Sequence, residues 1–129
     1  MKKSIPFAHL HVHSHYSFLD GLASPGELVH RAADHGMEAL ALTDLHSLSG
    51  AIEFYDACRE AGIKPVLGLE VRHTPPADFL SALTGQPPAH LTLLAKNMPG
   101  WSSLCRLASA VDHERGVLPF EVLRRHTRG

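Results

Sequence analysis

The 129-residue sequence has no long apolar run, almost no charge imbalance and only two cysteines, and each shortage removes a class of protein. No stretch approaches the length needed to cross a bilayer. The opening Met1-Lys2-Lys3-Ser4-Ile5-Pro6 carries charge without the apolar segment of a secretion signal, so a cytoplasmic chain with no membrane partner is expected. A net charge of -1 and a pI near 6.8 leave no basic surplus of the kind that tracks a phosphate backbone, which argues against unaided gripping of duplex DNA. Cys58 and Cys105 each sit in an apolar pattern of helical spacing, so buried free thiols in a reducing compartment are expected, not a disulfide or a zinc knot. Internal repeats and low-complexity tracts are missing too. What is there is 44% hydrophobic content, enough for one domain with a core, and an unusual eleven histidines.

Three of those histidines fall in one stretch. Phe7 to His13 alternates strictly, with Phe7, His9, His11 and His13 on one side and Ala8, Leu10 and Val12 on the other, the two-residue period of a strand. Imidazoles two apart on a strand project in parallel, so His11 and His13 can converge on one ion. Taken singly, a histidine at a strand end can equally be solvated or bonded to backbone. Asp20, a hard oxygen donor just before Gly21, lies on a loop that can fold back over the strand tip.

Along the chain, Ser24-Pro25-Gly26-Glu27 predicts a helix start with an N-cap, a proline in the first turn and a glutamate at N3. Leu28, Val29, Ala32 and Ala33 form its apolar stripe and Gly36 its stop. Ala39-Leu40-Ala41-Leu42-Thr43 suits a strand covered on both faces, with Asp44 at its carboxyl end. Ser47 or Ser49 is expected to cap the next helix, with Ile52, Phe54, Tyr55, Cys58 and Ala61 at helical spacing before Gly62. Val66 to Val71 reads as a third strand bearing Glu70 near its end. Strand, helix, strand, helix, strand implies a parallel sheet of (β/α) units, in which functional groups gather beyond the strands' carboxyl ends. His73 to Ala89, with Pro75-Pro76, Pro87-Pro88 and the patch Phe79, Leu80 and Leu83, reads as a surface excursion with one helical turn. His90 to Ala95 is a fourth strand with its histidine at the amino end. Trp101, Leu104, Cys105, Ala108 and Val111 make a helix stripe ended by Gly116, and a last short helix covers 119–126.

His9-Leu10-His11-Val12-His13-Ser14 with Tyr16-Ser17-Phe18-Leu19-Asp20-Gly21 resembles the first motif of the PHP (polymerase and histidinol phosphatase) domain, in the version that opens bacterial DNA polymerase III alpha subunits and error-prone relatives. Ala41-Leu42-Thr43-Asp44-Leu45, Gly62 to Glu70 and His90 to Asn97 follow in the family's order, so the resemblance covers nearly the whole chain. It implies part of a distorted seven-stranded (β/α) barrel, with residues 1–129 as the amino-terminal portion of a PHP domain. It also implies divalent ions, zinc or manganese with magnesium as the alternative, bound below full occupancy. His11, His13, Asp20, Glu70 and His90 fall where the family places metal ligands. Asp44 matches the aspartate of a Thr-Asp-His motif and is expected to orient its neighbours, with His46 and His9 as further candidates. Leu45 stands where the motif has histidine, and His46 can replace it only if the loop bends it back.

The chemistry implied is metal-assisted phosphoester hydrolysis. In the parent protein, residues outside this chain would carry DNA synthesis, with DNA and replication or repair subunits as partners. Two alternatives stand beside it: a degenerate PHP module used for structure or docking, and a stand-alone phosphatase of the histidinol phosphatase kind or an amidohydrolase-type barrel, since these also carry His-x-His on the first strand. The helix after His90-Leu91-Thr92-Leu93-Leu94-Ala95 favours the polymerase branch.

Overall fold

The computed structural model describes residues 6–76, 85, 87–127 and 129. Its first helix, α1 (Pro25–Asp34), starts with the expected reciprocal cap: Ser24 Oγ accepts the Glu27 N–H at 3.2 Å while the Glu27 carboxylate accepts the Ser24 N–H at 2.7 Å. Val29 and Ala32 bury its inner side, and Gly36, at φ 69°, turns the chain out of it. β1 (Ala39–Leu42) follows, buried from Leu40 onwards.

α2 (Ala51–Ala61) begins at Gly50, not at a serine; Ser47 Oγ instead donates to Ser49 Oγ at 3.0 Å. Space explains the glycine, because a Cβ at position 50 would stand 2.6 Å from the Tyr16 ring. Ala51, Phe54 and Cys58 are the buried residues of α2, whereas Ile52 and Tyr55 of the expected stripe are exposed. The helix stops at Gly62 with φ 70°, as its sequence predicts.

β2 (Lys64–His73) is the central strand. It pairs in parallel with β1, Ala39 opposite Lys64 and Leu42 opposite Leu67. β3 (Ala89–Leu94) runs antiparallel to β2, with Arg72 opposite His90 and Gly68 opposite Leu94, so the all-parallel expectation fails at this strand. His73 pairs with Ala89, so the connection leaves and re-enters the sheet at one end, and a parallel return would have needed a crossover along the whole sheet. The patch Phe79, Leu80 and Leu83 lies outside the described residues. α3 (Met98–Ala110) is capped by Asn97, whose side chain accepts the Gly100 N–H at 2.9 Å, and α4 (Phe120–Arg125) closes the described order. The described strands form a mixed three-stranded sheet in an α/β arrangement.

The expected first strand is not a regular one: residues 7–13 belong to no strand and bend at Leu10 and His11, yet they still bond to β1. His9 O accepts the Ala41 N–H at 2.9 Å and Val12 O accepts the Thr43 N–H at 2.8 Å: three residues of this segment span two of the neighbouring strand. The extra residue acts as a bulge and breaks the alternation between His9 and Val12. Thr43 Oγ1 completes the seam by accepting the Val12 N–H at 2.8 Å.

Two apolar clusters hold these elements. Val29, Ala32, Leu40, Leu42, Phe54, Cys58 and Ile63 join α1 and α2 to β1, and Leu69, Val71, Leu104, Leu107, Val111, Leu118 and Leu123 join β2 to α3 and α4. Leu107, fully buried, belongs to the α3 face although the expected stripe omits it. Cys58 and Cys105 are both free, Cys58 fully buried, and burial pushes the Cys58 thiol up to about 11.

Candidate metal centre

The site assembles where β2 nears its carboxyl end. Glu70 is 3% exposed, and its side chain meets histidines from two directions. His11 Nε2 donates to Glu70 Oε2 at 2.6 Å, and His13 Nε2 donates to the same oxygen. The two imidazoles stand edge to face with centroids 5.3 Å apart. His90 approaches from β3, its Nδ1 donating to the other oxygen, Oε1, at 2.5 Å. Its place at the amino end of a strand, odd in a parallel sheet, is explained by antiparallel pairing, which brings that end beside the carboxyl end of β2.

Burial alone would push the Glu70 carboxyl up, but the donors His11, His90 and His13 more than reverse this and hold it at about 2. Glu70 is therefore an anion at neutral pH. His11 Nε2, His13 Nε2 and one Glu70 oxygen lie within 4.8 Å of one another, a set of two imidazole nitrogens and one carboxylate oxygen able to hold a divalent ion.

Behind this group lies a buried hydrogen-bond cluster. Asp44, 1% exposed, accepts the Ser14 N–H at 2.6 Å and Ser14 Oγ–H at 2.7 Å, and its Oδ1 accepts Ser17 Oγ–H at 2.7 Å. Ser17 Oγ in turn accepts the Leu45 N–H at 3.0 Å. Asp44 thus ties the end of β1 to the loop that follows His13. The loop closes tightly, since a Cβ on Gly21 would fall 2.0 Å from the Ser14 carbonyl oxygen. Ser14 and Ser17 are structural partners that sequence reasoning passed over; nothing in a lone serine signals a buried carboxylate.

The remaining candidates stand apart from the group. Asp20 is exposed in the turn after Ser17 and is not among the three converging residues. His9 is exposed, edge-on to Phe7 with centroids 4.8 Å apart, because the bulge separates it from His11 and His13. His46 sits at φ 56° and turns toward β2, where its Nε2 accepts the Arg72 N–H at 2.9 Å. Burial, then the charge of Arg72, lowers its pKa and keeps the ring neutral. Its lone pair serves a backbone group, not the place of the missing motif histidine.

With this geometry in view, the sequence matches the PHP domain over residues 9–129. The chain belongs to the PHP domain family. The DNA polymerase III subunit alpha of Escherichia coli (strain K12) is 46% identical over 112 residues, covering 85% of this chain and 9% of that protein. That of Buchnera aphidicola (subsp. Schizaphis graminum) is 44% identical over 103 residues, covering 80% and 8%. The error-prone DNA polymerase of Symbiobacterium thermophilum is 46% identical over 104 residues, covering 81% and 8%. The chain therefore spans under a tenth of the length of these relatives. Among solved structures, an amidohydrolase from Chromobacterium violaceum with bound sulfate and no metal aligns with TM-score 0.65 and 29% identity, over 84% of this chain and 34% of that one. A protein from Bifidobacterium adolescentis provisionally assigned as a metal-dependent phosphoesterase shares the fold, with TM-score 0.56 and 21% identity over 81% and 34%. Within this PHP domain, Leu45 pairs backbone to backbone with Glu70 and lines an open cleft of about 480 Å³ with Tyr16, Phe18, His46 and His113. A hydrocarbon wall stands there where the motif has an imidazole.

Proposed function

We propose that this chain is the amino-terminal portion of the PHP domain of a DNA polymerase III alpha-type or error-prone DNA polymerase, and that His11, His13 and Glu70 hold a divalent ion in it. The convergence of two imidazole nitrogens and a buried carboxylate oxygen carries the reading, and the identity to polymerase subunits supports its parentage. Two nitrogens and one oxygen suit zinc or manganese better than magnesium. An ion held there would supply Lewis acidity and an acidified water for phosphoester hydrolysis. The residues of the chain do the rest: Glu70 stays anionic, and Asp44 fixes the backbone just after His13. In the parent, DNA synthesis belongs to residues elsewhere, with DNA and other replication or repair subunits as partners.

The experiment uses the full-length parent with and without Glu70→Ala, in primer extension and in trimming of a 3′-labelled oligonucleotide with manganese or zinc. Retained extension with lost trimming is expected. A parent that cannot extend a primer would sink the polymerase reading.

A second reading has its own observation. Leu45 replaces the motif histidine and Asp20 stays outside the group, so three donors converge where the family resemblance implies more. On this reading the domain is a structural or docking module. The 129-residue chain alone is then expected to leave a 3′-labelled oligonucleotide intact, and robust turnover abolished by Glu70→Ala would exclude it.

A further inference from the structure

Among the described residues every lysine and arginine is exposed except Arg72, which is half-buried on β2 two residues beyond Glu70. The two-residue period of a strand puts both side chains on one face, so the guanidinium stands on the side where the metal group assembles. Its backbone is fixed. The Arg72 N–H goes to His46 Nε2 at 2.9 Å and the Arg72 carbonyl accepts the Leu118 N–H at 2.7 Å, so neither bonds to β3. Arg72 and His90 are therefore the non-hydrogen-bonded kind of antiparallel pair, in which side chains approach most closely, and Arg72 Nε stands 3.3 Å from His90 Nε2. The two Nη groups of Arg72 have no partner among the described residues, and no carboxylate there forms an ion pair with it. Arg115 and Arg124, both exposed, have Asp112 and Glu121. A guanidinium partly withdrawn from water is unfavourable unless an anion faces it, so the cation most in need of an anion is the one left without.

We propose that Arg72 is a phosphate-binding residue, whose Nη groups grip oxygens of the phosphoester presented to the metal group. This rests on the reading that the site handles phosphoesters through a bound ion. The guanidinium is a planar fork of N–H donors that matches two oxygens of one phosphate, keeps its charge at every pH the fold experiences, and lies across a single imidazole from Glu70. Lysine in the same place would supply the charge without the fork.

Calorimetric titration of the zinc-loaded 129-residue chain with thymidine 5′-monophosphate tests the assignment without an activity assay. Arg72→Ala is expected to weaken nucleotide binding roughly 10- to 100-fold, the effect of losing charge-assisted hydrogen bonds. Arg72→Lys should recover only part of that loss. Zinc affinity, titrated separately, should not fall in either variant, because removing a cation cannot weaken a neighbouring cation site through charge. Unchanged nucleotide affinity in Arg72→Ala, full recovery in Arg72→Lys, or loss of zinc together with the nucleotide would overturn the proposal. Should the wild type take up no zinc, or Arg72→Ala fail to fold, nitrogen–proton NMR of the metal-free wild-type chain decides. A saturable shift of the Arg72 Nε–H signal with inorganic phosphate, absent with acetate, is expected; no shift, or an equal shift with acetate, refutes the phosphate contact.

Discussion

At the scale of single residues, the most consequential side chain is one that touches no ion. Asp44 is buried and accepts three hydrogen bonds, from Ser14 N–H, Ser14 Oγ–H and Ser17 Oγ–H. Asp44→Ala would leave these donors in the interior with nothing to bond, and is expected to lower the unfolding free energy by about 3 kcal/mol. Urea denaturation checks this; a loss under about 1 kcal/mol would mean that water or relaxation replaces the carboxylate. His46 makes a pH-dependent contribution. Its pKa in the fold lies below the ordinary 6.5, so the unfolded chain binds the proton more readily. Its stabilisation is therefore fully present above that ordinary value and is lost as pH falls from there toward the folded value. His46→Gln keeps an acceptor for the Arg72 N–H without titrating. Between about pH 7 and 5 it should lose less stability than wild type in parallel urea melts.

Among elements, β3 matters most to the site, because it carries His90, and its contact with β2 depends on a missing side chain. A Cβ on Gly68 would stand 2.6 Å from Leu93 O, 2.7 Å from Thr43 Cγ2 and 2.8 Å from Leu94 Cδ2. Backbone cannot yield as a flexible side chain does, so Gly68→Ala should cost about 2 kcal/mol by denaturant melt. An unchanged midpoint would show that β3 slides freely along β2. The α1 cap is a smaller effect of the same local kind. Ser24→Ala removes the acceptor of the Glu27 N–H and should cost about 1 kcal/mol, measurable by the same melt.

For the whole molecule, an ion that binds only the folded chain joins two separate pieces: the segment before α1 through His11 and His13, and β2 through Glu70. Zinc at about 100 times its dissociation constant should raise the unfolding free energy by about 2.7 kcal/mol. The gain should vanish with a chelator and be absent in the His11→Ala plus His13→Ala variant, as followed by thermal melts. A gain that survives the double substitution would place the ion elsewhere.

Local chemistry was readable without coordinates. Ser24 with Glu27 announces a helix start, Gly62 a helix end, and Ala39 to Thr43 a covered strand, because each depends on neighbours a few residues away. The pairing of His11 with His13, and of both with Glu70, was also within reach, since strand ends gather in an α/β sheet. Direction, register and spare volume were not. An apolar run such as His90 to Leu94 packs equally well either way along β2, and only the return of the chain to the same end made it antiparallel and brought His90 to Glu70. The bulge that removed His9, the Tyr16 ring that demanded Gly50 and the Arg72 N–H that captured His46 are contacts between residues far apart in sequence. Sequence by itself determined which local elements form and which donors are available. Tertiary structure decided which donors meet, because hydrogen-bond partners and excluded volume are set by whatever chain lies alongside.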